Sequence, residues 1–256
     1  MIAPHVLISP AMAIGSGYYR PLVAAFEEYG WLATALPRRG FGSEQQAASK
    51  SRDWSFGDEI GDIAAAVDDV RSHEPQRPVI VLGHSLGAQL AAGYQIQQPG
   101  CDGFVSIGSS IPYWRYYGAT RWGLLAMALA IPLVTGIWGY MPKPFFGAPG
   151  ARTLMRQWAR FARTGVPPFP VADGVRTPTL DIHLEGDTYA VAPANDGFVR
   201  TLINPAVLTR WLYRHRDVPD GGTNHHIAWV RSPGPVVERI VTWWSEQNHQ
   251  TVAAQA

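Results

Sequence analysis

Charge is scarce in this sequence and balanced in sign. Asp, Glu, Lys and Arg make up 16% of the 256 residues, against roughly 25% in an average soluble domain. The 21 Lys and Arg stand against 20 Asp and Glu, a formal +1. The basic excess that phosphate-backbone binding demands is therefore missing, and nucleic acid is not an expected partner. A single cysteine, Cys101, excludes an intramolecular disulfide. Met1 runs almost directly into Pro4-His5-Val6-Leu7-Ile8, without the charged segment and cleavage site of a secretory leader, so a cytoplasmic setting is the expectation. Internal repeats, low-complexity blocks and runs of like charge are also lacking. What the chain has in quantity is aromatic surface, with 10 Trp, 10 Tyr and 9 Phe. In a chain long enough for one large domain, that surplus must be buried or bind something.

Short apolar runs bounded by turn residues occur at Val6 to Ile8, Val79 to Leu82 and Phe104 to Ile107. They are too short to cover a helix and read as buried parallel strands. Thr179 to Leu184, after Pro178, adds a fourth, and Leu208 to Arg214 a less regular fifth. Helical periodicity fills the intervals: Tyr18 to Tyr29, Asp58 to Arg71 with Ile60, Ile63, Ala64, Val67 and Val70 on one face, Leu86 to Gln98, and Pro233 to Asn248. Strands alternating with helices predict a doubly wound, mostly parallel α/β sheet with its site at the strands' carboxyl ends.

Residues 112–171 break the alternation with Pro, Gly and aromatic residues, including Trp114, Trp122, Trp138, Phe145 and Phe146. An insertion of this length predicts a lid with an apolar inner face, leaving 1–111 and 172–256 as the catalytic body. Trp122 to Pro142 holds no charged residue, which meets the length of a membrane span. Pro132, Gly136 and Gly139 interrupt the run, and it joins two halves of one soluble sheet, so no span is expected. Peripheral membrane contact through the lid stays open.

The sharpest local signal is Gly83-His84-Ser85-Leu86-Gly87, between the strand Val79-Ile80-Val81-Leu82 and the Ala-rich start of a helix. A turn from strand to helix within one residue forces strain at Ser85, exposes its hydroxyl and crowds Gly83 against Gly87. The helix N-terminus at this point favours developing negative charge.

With this elbow the sequence resembles the α/β-hydrolase family over nearly its whole length. More narrowly it resembles a subgroup related to serine aminopeptidases, through Pro10-Ala11-Met12, Tyr18-Tyr19-Arg20-Pro21, Gly139-Tyr140-Met141-Pro142 and Met155 to Phe161. The resemblance implies the order nucleophile, acid, histidine. His226, five residues before Arg231, fits the family's spacing better than His225. The acid is expected at Asp187, after Gly186, with Glu185 as its rival. The resemblance also implies two backbone oxyanion donors, the N–H of Leu86 and that of Met12, with Ala11 as the fallback. A donor of this kind is worth roughly 3–4 kcal/mol.

Two departures stand out. The family's Asp-x-Arg-Gly-x-Gly-x-Ser stretch reads Pro37-Arg38-Arg39-Gly40-Phe41-Gly42-Ser43-Glu44, without its aspartate. Only nine residues precede Pro10, so the family's leading hairpin is expected to be absent and about six strands to remain. His183, Glu185 and Asp187 alternate along one strand, with His215, His225 and His226 downstream. The sequence nevertheless lacks a second Cys and any His-Glu-x-x-His, so neither metal nor cofactor is expected.

Together these features predict a serine hydrolase that cleaves a small-molecule ester or thioester with a hydrophobic acyl or aromatic group through Ser85, His226 and Asp187. The same triad passing its acyl group to an alcohol or amine would be an acyltransferase. A non-catalytic ligand-binding protein on this fold is the third reading.

Overall fold

The computed structural model describes residues 2–41, 46–98, 100–143 and 149–255. Phe145 and Phe146 of the insertion, and Gly42, Ser43 and Glu44 of the arginine stretch, lie outside the described residues. Six strands are β1 (His5–Ser9), β2 (Leu32–Ala35), β3 (Val79–His84), β4 (Gly103–Ile107), β5 (Thr179–Leu184) and β6 (Leu208–Tyr213). They form one sheet in the order β2-β1-β3-β4-β5-β6, and every neighbouring pair is parallel. β3 and β4 are buried along their whole length, as central strands covered on both faces must be.

β2 is the strand that the apolar pattern does not reveal. Its Leu-Ala-Thr-Ala sequence lies at the sheet edge, where residues alternate between exposed and half-buried. An edge strand needs no continuous apolar run, so the signal that marks the central strands is absent there.

Helices cover both faces. On one side, α1 (Arg20–Glu28) and α7 (Gly234–Gln255) pack Leu22, Phe26, Val237, Ile240 and Trp243 over Ile8, Ile80 and Val105 of the sheet. On the other, α2 (Phe56–His73) and α3 (Leu86–Gln97) cover Leu7, Val81 and Phe104. α2 begins at a capping box, with the Ser55 hydroxyl accepting from the Asp58 N–H and the Asp58 carboxylate from the Ser55 N–H. Its Ile60, Ile63, Val67 and Val70 are the stripe that periodicity predicts, and all are buried.

Between β4 and β5 the chain forms two further helices, α4 (Arg121–Trp138) and α5 (Arg152–Thr164), which pack on each other. α4 runs unbroken through Pro132 and Gly136 and stops at Gly139, whose φ of 80° is left-handed. α5 contacts the helix at this point. Arg156 donates to the Thr135 hydroxyl at 2.9 Å and to the Pro132 carbonyl at 3.3 Å. α6 (Ala192–Leu202) joins β5 to β6.

Candidate active site

Ser85 sits between β3 and α3 with φ 55° and ψ −116°, a conformation that costs a non-glycine residue of order 1–3 kcal/mol. Two glycines make the bend sterically feasible. A Cβ at Gly83 would overlap the backbone of Gly87 and Ala88, and one at Gly87 would overlap the Ser9 carbonyl at the end of β1. The second contact brings the start of α3 against the loop that follows β1. Among the described residues Ala13, in that loop, is the other non-glycine with positive φ, at 61°. Among the described non-glycine residues, positive φ is thus confined to the Ser85 elbow and the loop after β1.

His226 lies in the loop after β6, with its Nε2 3.0 Å from Ser85 Oγ and its Nδ1 2.6 Å from Asp187 Oδ2. The carboxylate accepts, so Nδ1 carries the proton and Nε2 is free to accept from the serine hydroxyl. Gly186, at φ 74°, makes the turn that presents Asp187 beyond β5. Burial opposes ionisation of Asp187. The hydrogen bond and charge of His226, with the N–H groups of Ala190 and Tyr189, outweigh it and hold the carboxyl below the usual aspartate range. The rivals stand elsewhere. Glu185 accepts from the His215 N–H at 2.7 Å, and His225 is exposed, its Nδ1 3.3 Å from the Ile227 N–H. Among the described residues no group of three or more His, Cys, Asp or Glu is placed to hold a metal ion.

Ala11 is excluded as an oxyanion donor because its N–H is committed to the Tyr19 hydroxyl at 2.8 Å. Met12 and Leu86 line one pocket of about 30 Å³ together with Leu154 and Met155 of α5. A larger cavity of about 550 Å³ is lined by Leu36, Pro37, Arg39, Arg52, Asp53 and Trp54 among others, and neither lining includes Ser85, Asp187 or His226. Its size does not make it the chemical site. Of the insertion's tryptophans, Trp122 and Trp138 are exposed.

Sequence reasoning overlooked the supports of this site. Tyr189 stacks on the His226 ring with centroids 5.0 Å apart. Gly108, at φ 56°, passes so close that an added Cβ would lie 3.0 Å from His226 Cε1. Tyr18 donates to the Ile227 carbonyl at 3.1 Å. In the arginine stretch that lacks the aspartate, Arg38 is buried and donates to both Glu59 and the Pro10 carbonyl. Trp54 donates to the second Glu59 oxygen at 2.9 Å. This ion pair ties the oxyanion loop to α2.

His84 is completely buried beneath the histidine loop. Its Nε2 contacts the His226 carbonyl at 2.7 Å and its Nδ1 the Tyr19 hydroxyl at 2.8 Å. A carbonyl only accepts, so Nε2 carries the proton and Tyr19 donates to Nδ1. The Trp229 indole N–H, 3.3 Å from the same Nε2, is the weaker contact and leaves this assignment in place. Burial first, and the neighbouring His226 second, push His84 down to about 3, so it is neutral at physiological pH.

The parallel sheet, the elbow and the inserted helices define an α/β-hydrolase fold. The family model described as serine aminopeptidase, S33, matches residues 3–157, and the chain belongs to this family. Similar solved structures include the esterase EaEST from Exiguobacterium antarcticum, with TM-score 0.63, 15% identity and coverage of 94% of this chain and 92% of that one. A monoacylglycerol lipase from Paleococcus ferrophilus superposes with TM-score 0.62 and 14% identity, over 95% and 97% of the two chains. A bromoperoxidase from Bacillus anthracis gives 0.60 and 16%, over 96% and 92%. At such identities the likeness carries the fold and leaves the chemistry to the site. No curated protein matches the chain.

Proposed function

We propose that the protein is a serine hydrolase acting on a carboxylic ester or thioester with a hydrophobic acyl or aromatic group. The observation that carries this reading is the unbroken run from Ser85 Oγ through His226 to Asp187, at 3.0 and 2.6 Å. Ser85 attacks the carbonyl carbon while His226 Nε2 takes the hydroxyl proton. Asp187 holds the ring in the required tautomer and stabilises the imidazolium. The Met12 and Leu86 N–H groups receive the oxyanion. On collapse, His226 returns the proton to the departing alcohol or thiol, and water attacks the acyl-enzyme by the same route. The α4–α5 insertion is the lid in this reading, and its Leu154 and Met155 form the apolar wall for the acyl group.

A fluorophosphonate reagent tests the mechanism. It should label Ser85 in the native chain, and the His226→Ala variant should react far more slowly. Absence of label on Ser85, or equal labelling of the variant, overturns the triad. A series of p-nitrophenyl esters of increasing chain length, with and without an added alcohol, then separates hydrolysis from acyl transfer by the product formed.

A further inference from the structure

α4 is apolar all round yet only half covered. Ala128, Ile131 and Thr135 are buried, while Trp122, Leu129, Leu133, Ile137 and Trp138 are exposed, Leu133 and Ile137 to 70% each. The exposed positions between them are Gly123, Ala126, Ala130 and Gly136, so this ridge carries no polar side chain. A helix with such a composition belongs in a protein core or a lipid phase, not in water.

The charge distribution says which. From Gly103 to Ala172 the chain contains no Asp or Glu, but it holds Arg115, Arg121, Lys143, Arg152, Arg156, Arg160 and Arg163, a formal +7. The other 14 Lys and Arg face all 20 Asp and Glu, a formal −6. Near-neutrality overall thus conceals a strongly polarised molecule. Among the described residues, Arg152 is the one cation of the seven with a carboxylate partner, Asp53 at 3.3 Å. Cations also flank the ridge. Arg115 and Arg121 lie over Trp114 and Trp122 at its start, Arg156 reaches Pro132 at its middle, and the Lys50 stem lies beside Gly139 at its end.

We infer that the outer face of α4 docks on an anionic lipid surface. The helix lies in the plane of the interface, with Leu129, Leu133 and Ile137 among the acyl chains, Trp122 and Trp138 at headgroup depth, and the arginines on phosphates. Gly118–Trp138 is long and apolar enough to cross a membrane, but a spanning pose would strip α4 from α5 and place the Thr135–Arg156 bond in hydrocarbon. This docking is independent of the proposed chemistry, so the Ser85→Ala variant should bind equally well.

Co-sedimentation of the full chain with vesicles tests it. Binding is expected to phosphatidylcholine vesicles containing about a third phosphatidylglycerol, weakening about tenfold in pure phosphatidylcholine and again as salt rises from about 0.05 to 0.5 M. Leu133→Ser with Ile137→Ser should lower binding to anionic vesicles about tenfold. Quenching of native tryptophan fluorescence by lipids with brominated acyl chains needs no variant and should accompany binding. Failure to bind anionic vesicles, equal binding to both compositions, or absence of quenching overturns the proposal. A concentration-dependent dimer that the double substitution abolishes, without vesicle binding, would instead assign the ridge to a second copy of the chain and overturn it as well.

Discussion

Tyr19 and His84 are joined by a buried 2.8 Å hydrogen bond that connects the two loops between which Ser85 works. On one side the Tyr19 hydroxyl receives the Ala11 N–H of the oxyanion loop. On the other, His84 donates to the backbone carbonyl of His226. The donors all point one way along this chain, so each group has its partner and none is free to turn.

Tyr19→Phe removes the middle of that chain and leaves two buried groups, the Ala11 N–H and His84 Nδ1, without partners. Stability should fall by about 1–3 kcal/mol in urea unfolding. Ester turnover should fall about tenfold in kcat with little change in KM, because the pieces that shift hold the reacting groups and not the acyl chain. A change confined to KM would contradict this.

Stability should also depend on pH through His84. Its ordinary value near 6.5 applies to the unfolded chain, while in the fold it lies at about 3. Between those values the unfolded chain binds a proton that the folded chain does not, so stability falls as the pH drops from about 6.5 towards 3. The slope approaches roughly 1 kcal/mol per pH unit. Asp187, held below the usual aspartate range, acts in the same direction but only at lower pH, as it becomes protonated. Urea unfolding at pH 7 and 5 should show a larger loss for the native chain than for His84→Gln; equal losses would show that His84 is not the source.

Met155 lines the same pocket as Met12 and Leu86. At about 30 Å³ that pocket is smaller than an acyl chain. Met155→Ala should therefore raise kcat/KM for longer p-nitrophenyl esters relative to the acetate, by about tenfold or less per added pair of methylenes. An unchanged chain-length profile would place the acyl group elsewhere.

Much of the site is legible in the residue order because its chemistry imposes local patterns. Gly83 is required by backbone overlap within five residues, whereas Gly87 is required by the Ser9 carbonyl of β1, and Gly186-Asp187 is a turn beyond a strand. The choice of His226 over His225 came from spacing to Arg231, and the structure shows where that arginine goes: it lies over the Tyr18 ring at 5.9 Å, on the tyrosine that braces the histidine loop. Gly108, Tyr189 and Tyr19 left no comparable trace. Each acts on His226 or its neighbours across a large sequence separation, and none stands in a pattern that names its partner.

The sequence by itself determined the alternating α/β architecture and the strand-to-helix elbow at Ser85, because burial periodicity and strand-to-helix geometry are local constraints. The expected order of serine, acid and histidine came from family resemblance. Tertiary structure decided that the Ala11 N–H is engaged, since Tyr19 folds back to accept from it. It also decided that the buried Arg38 pairs with Glu59 of α2, and that α4 turns Trp122, Leu133 and Ile137 outward. Composition shows that a helix is apolar. Only packing shows which of its faces has been left uncovered, because burial depends on what the rest of the chain brings against it.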